Sequence, residues 1–269
     1  MTASVEEITA DDLEQRLPVP ETRDQIHDLA EAFNGLLGRL QDSFERQRRF
    51  AGEASHQLRT PLTAMIGQME VALRRDRPPE EYRRVLTSAV AQAGLLGGIV
   101  ESLLFLARAD ADAELPGLER IDLVAWVREY LADHPHGRSD DVRFDARVTC
   151  AHIGGQTAML AQGVGNLIEN ACRYSDPGSP IALTVAVESD EAILTIEDAG
   201  CGIESAEPSR IFEPFFRAAE ARRRGIKGMG LGLAVAHRIV RSFGGRIEAW
   251  SEWGKGSRFT LRLPIRDEA

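Results

Sequence analysis

The sequence predicts a multidomain chain: an all-α antiparallel helical hairpin that doubles into a dimeric four-helix bundle, followed by an α+β two-layer sandwich. Three patterns predict it. Apolar residues recur at steps of three and four through the first third of the chain, and a second such stripe follows a two-proline turn. Beyond Asp110 the pattern changes to short alternating stretches interleaved with helical ones.

From Asp24 to Leu58 the beat runs Ile26, Leu29, Phe33, Leu36, Leu40, Phe44, then Ala51, Ala54 and Leu58. Leu36-Leu40-Phe44 takes two steps of four in succession, a stutter that locally unwinds a coiled coil and suits a junction between modules. Asp24 is the expected N-cap, after the break at Pro18-Val19-Pro20. The second helix is expected over Glu80 to Ala109, with Tyr82, Leu86, Ala89, Ala93, Leu96, Val100, Leu103 and Ala107 on one stripe. The Arg77-Pro78-Pro79 connection is short, so the helices run antiparallel. Two helices cannot bury a broad apolar face alone, and a homodimer is the economical solution.

A linker over residues 112–119 contains Pro116-Gly117, and the sandwich occupies 120–269. Within it the patterns give helices at Ile121–Leu131, Gln156–Tyr174 and Gly228–Ser242. Strands are expected at Val142–Val148, as a hairpin of Ile181–Val187 with Ala192–Glu197, and as a closing hairpin of Arg246–Trp253 with Arg258–Leu263. All are read as antiparallel.

Composition narrows the function. A net charge of -10 argues against non-specific nucleic-acid binding, which needs a basic footprint. Cys150, Cys172 and Cys201 are odd in number without paired spacing, and read as small buried hydrophobes in a reducing compartment rather than disulfides or metal ligands. No uninterrupted apolar run approaches the ~18 residues of a membrane span and no signal peptide opens the chain, so a cytoplasmic location is expected. Trp126, Trp250 and Trp253 read as packing residues, and His134 and His136 as surface groups flanking Pro135.

Chemistry concentrates in five stretches. In His56-Gln57-Leu58-Arg59-Thr60-Pro61-Leu62 a histidine sits on the first helix just before a proline. At ~100° per residue, with Ala54 at zero, Ala51 and Leu58 fall within ~60° and His56 at ~200°, so His56 projects away from the seam with Thr60 one turn on. Asn166-Leu-Ile-Glu-Asn170-Ala-Cys-Arg173-Tyr174 places two amides four apart on one helix face, and an amide oxygen is a suitable hard ligand for Mg²⁺. Asp198-Ala-Gly200-Cys-Gly202 follows a strand, and Ile211-Phe-Glu-Pro-Phe-Phe216-Arg217 is an aromatic cluster. Gly228-Met-Gly230-Leu231-Gly232-Leu233 opens a helix whose N-terminal N–H groups can meet phosphate oxygens.

In order and spacing these stretches resemble the sensor histidine kinases of two-component signalling, from roughly Arg46 to Pro264. The resemblance implies a dimerisation and phosphotransfer domain over 46–111 and a Bergerat-type ATP-binding domain over 120–269. Residues 1–45 resemble the end of a HAMP signal-relay module, although Gln25 and His27 depart from the usual acidic residue and glycine. By resemblance His56 accepts the γ-phosphoryl group of ATP and passes it to an aspartate of a response-regulator receiver domain, and Thr60, assisted by Gln57, orients water for dephosphorylation of that regulator. Asn170 holds Mg²⁺ beside Asn166, Arg173 meets phosphate, and Tyr174 packs on adenine. Asp198 accepts from the adenine amino group, Gly200 and Gly202 let the backbone approach the base, and Ser257 lies near it. Gly228, Gly230, Leu231, Gly232 and Leu233 form the phosphate loop. Lys227, after Arg222, Arg223 and Arg224 in the expected lid, is a further phosphate contact. The resemblance also implies membrane helices and a sensor upstream.

Gln57 departs from the pattern, since many family members carry an acidic residue there that can take the imidazole proton. An amide can hold the tautomer but cannot act as a base, a function worth ~10²–10⁴-fold. Slow autophosphorylation is therefore expected, with a phosphatase-dominated scaffold as one alternative. An ATPase of the gyrase type is the other, though its water-activating glutamate would fall at Asn166.

Overall fold

In a computed structural model, residues 16–19, 25–107, 117–134, 138–204, 210–218, 221, 223–226 and 228–266 are described. Asp24, the segment before Arg16, Pro20, Asp112–Pro116, Pro135, His136, Arg222 and Lys227 lie outside them. The chain divides into two compact units, Met1–Gln92 and Ala93–Ala269.

The first unit is built on α1, Gln25–Leu73, and the start of α2, Pro79–Ala107. The turn between them is as short as the prolines predict, with the Glu81 N–H donating to the Pro78 carbonyl at 2.9 Å. Ser88 Oγ reaches Gln68 Oε1 at 2.9 Å across the hairpin. Pro61 lies inside α1, which continues unbroken through it. It has no N–H to give the Gln57 carbonyl. Thr60 Oγ1 donates to the neighbouring His56 carbonyl at 3.2 Å.

The expected core stripe behaves differently along its length. Ile26, Leu29, Leu36, Leu40 and Phe44 are exposed in the single chain, whereas Ala30 and Leu37 are buried with Leu17. A coiled-coil seam is buried by a second helix, so the stripe positions stay exposed in one chain, while Ala30 and Leu37 lie one turn either side of Asn34, which binds Leu17 in the incoming segment. Asn34 holds that segment as a strand would. Its Oδ1 accepts from the Leu17 N–H at 2.8 Å and its Nδ2 donates to the Leu17 carbonyl at 2.9 Å. Leu62, Ile66, Leu86 and Val90 also remain exposed. By length and composition α2 is apolar enough to cross a membrane, with a mean hydropathy of 1.7 over 18 residues. No uninterrupted apolar run marks it, because Ser, Thr, Gln and Gly dilute the stretch.

In the second unit five strands form a mixed sheet in the order β2-β4-β5-β7-β6. They are β2 (Val142–Ala146), β4 (Ile181–Glu188), β5 (Glu191–Asp198), β6 (Arg246–Glu252) and β7 (Gly256–Pro264). β2 pairs with β4 in parallel, which corrects the all-antiparallel expectation. The intervening chain supplies the crossover that parallel pairing requires: the short strand β3 (His152–Gly155) and helix α4 (Thr157–Tyr174). β3 pairs antiparallel with β1, Glu119–Asp122. Neither was anticipated, because four residues such as Glu-Arg-Ile-Asp or His-Ile-Gly-Gly carry no readable alternation.

The helix expected at Ile121 begins instead at Leu123, as α3 (Leu123–Asp133), because Asp122 caps it. Asp122 Oδ1 accepts from Val124 N at 3.1 Å and from Ala151 N at 3.2 Å, tying the helix start to the following loop. α5, Gly232–Ser242, completes the helical layer. Leu160, Val164, Leu167 and Ile168 of α4, with Val235 and Ile239 of α5, meet Leu183, Val185, Leu194, Ile196, Phe259 and Leu261 from the sheet in one core. On the open face Arg262 pairs with Glu188, Glu191 and Glu248.

Leu167 is fully buried between the layers. Leu167→Ala is expected to lower stability by about 3 kcal/mol, within the range for a leucine truncated in a close-packed core. Chemical denaturation followed by circular dichroism measures it, and a loss below 1 kcal/mol would show the site collapses around the gap.

Candidate nucleotide cleft and histidine helix

His56, Arg59 and Thr60 are exposed, while Ala54, Leu58, Pro61 and Met65 are half-buried. Their steps of four, three and four trace the covered face of α1. Gln57 is half-buried on the shoulder of that face, and His56 lies off it.

In the second unit one cleft is lined by Asn166, Glu169, Asn170, Arg173 and Tyr174 from α4, Cys201, Gly202 and Ile203 after β5, Phe216 and Arg217, the Gly228–Leu233 loop and Ser257. Every proposed nucleotide residue lines it except Asp198, which lies behind the surface, Gly200, and Lys227 outside the described residues. Glu169 was overlooked, although its place three residues after Asn166 puts it on the same helix face. Ile211 also lines the cleft and is buried.

The glycine loop is not helical, as had been expected from Gly228. The helix begins at Gly232, and residues 228–231 are left as loop. At Gly230, φ is +72°, and an added Cβ would come within 2.5 Å of the Phe216 carbonyl. That close approach lets the Gly230 carbonyl accept from Phe215 N at 2.8 Å, joining the aromatic cluster to the loop. A Cβ on Gly228 would meet Arg173 Nη1 at 3.0 Å, and one on Gly232 would meet Asn166 Oδ1 at 3.4 Å. The missing side chains thus leave room beside the two α4 groups. No side chain caps the α5 N-terminus, so its first N–H groups remain for another acceptor.

The loop after β5 is laced on both sides. Cys201 N donates to the Tyr174 carbonyl at 3.1 Å, and Gly254 N donates to the Cys201 carbonyl at 2.8 Å. Ile203 N donates to Ser251 Oγ at 2.8 Å, and Ser251 Oγ lies 3.0 Å from Ser257 Oγ. Ser251 was not foreseen, since nothing in sequence places it across the hairpin from Ser257. Gly202 has φ +69°, and a side chain there would collide with the Glu252 carbonyl.

Asp198 ends β5 with 4% of its surface exposed. Burial pushes its carboxyl up to about 6, against hydrogen bonds from the Gly200 and Ser257 N–H groups that pull it down. The Gly200 bond measures 2.8 Å. Burial also raises the Tyr174 phenol.

The basic stretch is partnered: Arg223 lies 3.9 Å from Glu204, and Arg224 sits over the Trp253 ring at 5.8 Å. Trp250 and Trp253 are exposed rather than packed, whereas Trp126 is buried and stacks on Tyr130. Tyr130 in turn stacks on His134. His237, half-buried on α5, stacks on Phe212 at 5.1 Å. The three cysteines are free thiols. Cys150, expected to be buried, is exposed at the end of a loop. Among the described residues no cluster of three His, Cys, Asp or Glu could hold a metal.

Comparison with known proteins decides the family. Residues 155–267 match the model of the histidine kinase-, DNA gyrase B- and HSP90-like ATPases, 46–112 the His Kinase A (phospho-acceptor) domain, and 1–42 the HAMP domain. This chain belongs to the two-component sensor histidine kinases. Sensor protein IrlS of Burkholderia pseudomallei is 32% identical over 98% of this chain and 57% of its own length. Sensor protein CzcS of Cupriavidus metallidurans is 33% identical over 97% of this chain and 55% of its own. The chain therefore spans somewhat over half of these curated relatives. The Acinetobacter baumannii histidine kinase AdeS superposes with a TM-score of 0.61 at 26% identity, covering 79% of this chain and 98% of that one.

Asp198 of this sensor kinase chain gives a signed prediction. Its folded carboxyl titrates above its ordinary value of 3.8, so its contribution to stability is full at low pH and is lost as pH rises through about 6. The parent should lose stability relative to Asp198→Asn between pH 5 and 7.5, by roughly 1.4 kcal/mol, the one pK unit that lies between pH 5 and about 6. Thermal melts of both proteins across that range measure it, and a constant difference would place the titration elsewhere.

Proposed function

We propose that the chain is the transmitter part of an ATP-dependent protein-histidine autokinase, which phosphorylates His56 and transfers the phosphoryl group to an aspartate of a response-regulator receiver domain. The observation carrying this reading is the pairing of an uncovered histidine in the phospho-acceptor match with a cleft whose glycines open space beside Asn166 and Arg173. The working division is a partial HAMP module over 1–45, phosphotransfer over 46–111, a linker over 112–119 and ATP binding over 120–269.

In this reading Asp198 accepts from the adenine amino group, with Gly200 and Gly202 beneath the base, Tyr174 packed on it and Ser257 beside it. Arg173, Lys227 and the α5 N-terminus with Gly228, Gly230, Leu231, Gly232 and Leu233 receive the phosphates. Asn170 would hold Mg²⁺, with Asn166 beside it. A site with few protein ligands suits an ion that keeps several waters, and when bound it neutralises phosphate charge. A lone pair on a neutral His56 ring nitrogen attacks the γ-phosphorus, and the bond to the β,γ-bridging oxygen breaks with its electrons leaving on ADP. Gln57 supplies no base, so the ring proton goes to water. Thr60 keeps a lone pair free to orient water for dephosphorylating the regulator while its own O–H is donated to the His56 carbonyl.

The exposed stripes of Leu62 and Ile66 on α1 and Leu86 and Val90 on α2 support a homodimer, with the second copy's hairpin completing a four-helix bundle. The HAMP match supports a membrane-anchored sensor as the whole protein. A phosphatase-dominated or scaffold reading draws on Gln57 alone.

Incubation with γ-labelled ATP separates these readings. Acid-labile label that disappears in His56→Ala and falls at least tenfold in Asn170→Ala is expected. Free phosphate without label would identify an ATPase, and neither product a scaffold. Gln57→Glu should accelerate labelling several-fold, short of the ~10²–10⁴ of full base catalysis, because phosphoryl transfer depends mostly on positioning and charge. An unchanged rate would show that no base is missing.

A further inference from the structure

The geometry points to Arg138, far from the cleft in sequence, as the positioning residue that holds the adenine end of the site. It rests on the nucleotide-binding reading above. Arg138 precedes the short 3-10 turn Ser139–Asp141 and is largely enclosed, with 14% of its side chain exposed. Each of its three nitrogens donates. Nη1 reaches the Cys172 carbonyl at 2.9 Å, the Ser175 carbonyl at 2.8 Å and Ser175 Oγ at 2.9 Å. Nη2 reaches the carbonyls of Asp176 at 2.5 Å and Ser179 at 3.1 Å. Nε is held by Asp141 Oδ2 at 2.6 Å, which also accepts from Gly178 N at 3.0 Å.

These acceptors belong to the end of α4 and the turn that leaves it. A helix C-terminus carries orphaned carbonyls and a partial negative charge, which a cation there satisfies. Ser175 Oγ, which accepts from Arg138, donates to the Ala171 carbonyl at 2.7 Å, so the guanidinium organises two of the last four carbonyls of α4. That last turn carries Arg173 and Tyr174, both lining the cleft. The Tyr174 carbonyl is in turn the acceptor for Cys201 N, the link from α4 to the glycine loop after Asp198. Arg138 thus holds one side of the cleft at the point where α4 is tied to the adenine loop, without touching nucleotide itself.

A planar fork with five N–H donors, one of those on Nη1 shared between two acceptors, makes this set of bonds, and a lysine ammonium with three donors cannot. Arg138→Lys keeps the charge and removes the fork. With ADP titrated calorimetrically into the whole chain, its Kd should rise on the order of tenfold, the scale at which misplaced supporting groups act. The KM for ATP in His56 labelling should rise in parallel with kcat within about twofold, because the shift is confined to the end of α4 at Tyr174 while His56 and the earlier turn bearing Asn170 are kept. Arg138→Lys in a Tyr174→Ala background should add less than half its effect in the parent, since both act on the same contact.

A merely structural arginine gives the opposite split: fewer binding-competent molecules, seen as lower stoichiometry and kcat, with Kd and KM unchanged. That result, or additive effects with Tyr174→Ala, overturns the assignment. Should Arg138→Lys not fold, Asp141→Asn loosens the Nε anchor while keeping the fork, and a smaller rise in Kd is then required. Parent protein that binds no ADP would sink the nucleotide reading itself, before Arg138 is at issue.

Discussion

Asp198 ends β5 with its carboxylate enclosed, and a buried charge persists only where donors surround it. The N–H groups of Gly200 and Ser257 provide them, one from the loop that follows the strand and one from the neighbouring strand β7. The carboxylate therefore dictates the path of residues 199–202 and the register at the end of β7. From that loop, hydrogen bonds run outward to Tyr174 on one side and to Gly254 and Ser251 on the other. Helix α4, the closing hairpin and the loop after β5 meet around this one group. Its two donors do not fully offset the desolvation, so the carboxyl is left poised to titrate near 6.

The glycine loop shows the complementary device. Where Asp198 fills space with charge, Gly228 and Gly232 keep space open beside Arg173 and Asn166. Gly230 bends the loop so that the Phe215 N–H can bond to it. The result is a surface of backbone donors at the head of α5 facing amide and guanidinium groups from α4. A polyanion is the natural occupant of such a surface.

The helical unit is incomplete in a way the catalytic unit is not. α1 continues through Pro61 and past the phospho-acceptor segment, yet Ile26, Leu29, Leu36, Leu40 and Phe44 of its apolar stripe are exposed. Among the described residues, Ala30 and Leu37 are buried near residues 16–19, which Asn34 clamps, and Ala72 is buried at the hairpin end. An amphipathic helix settles its own conformation locally and leaves its burial to whatever packs on it. The apolar content of α2 that satisfies a membrane criterion answers equally to a bundle, and its place in a phospho-acceptor match favours the bundle.

Sequence by itself determined the two long helices, the strand pairs with clear alternation and the motif residues of the cleft. Periodicity and short-range spacing are local properties, and in α4 they put Asn166, Asn170 and Arg173 on one side before any packing is known. It could not find β1 or β3, too short to carry a pattern, nor the parallel pairing of β2 with β4. It also misplaced the starts of α3 and α5, where Asp122 caps the one and glycines hold the other open. Only the tertiary structure brought Ser251 to Ser257, enclosed Asp198 and folded the Arg138 fork over the end of α4. The serine pair, six residues apart, depends on the register of the closing hairpin, and the other two join residues distant in the chain, whose contacts are chosen by the packing of whole elements.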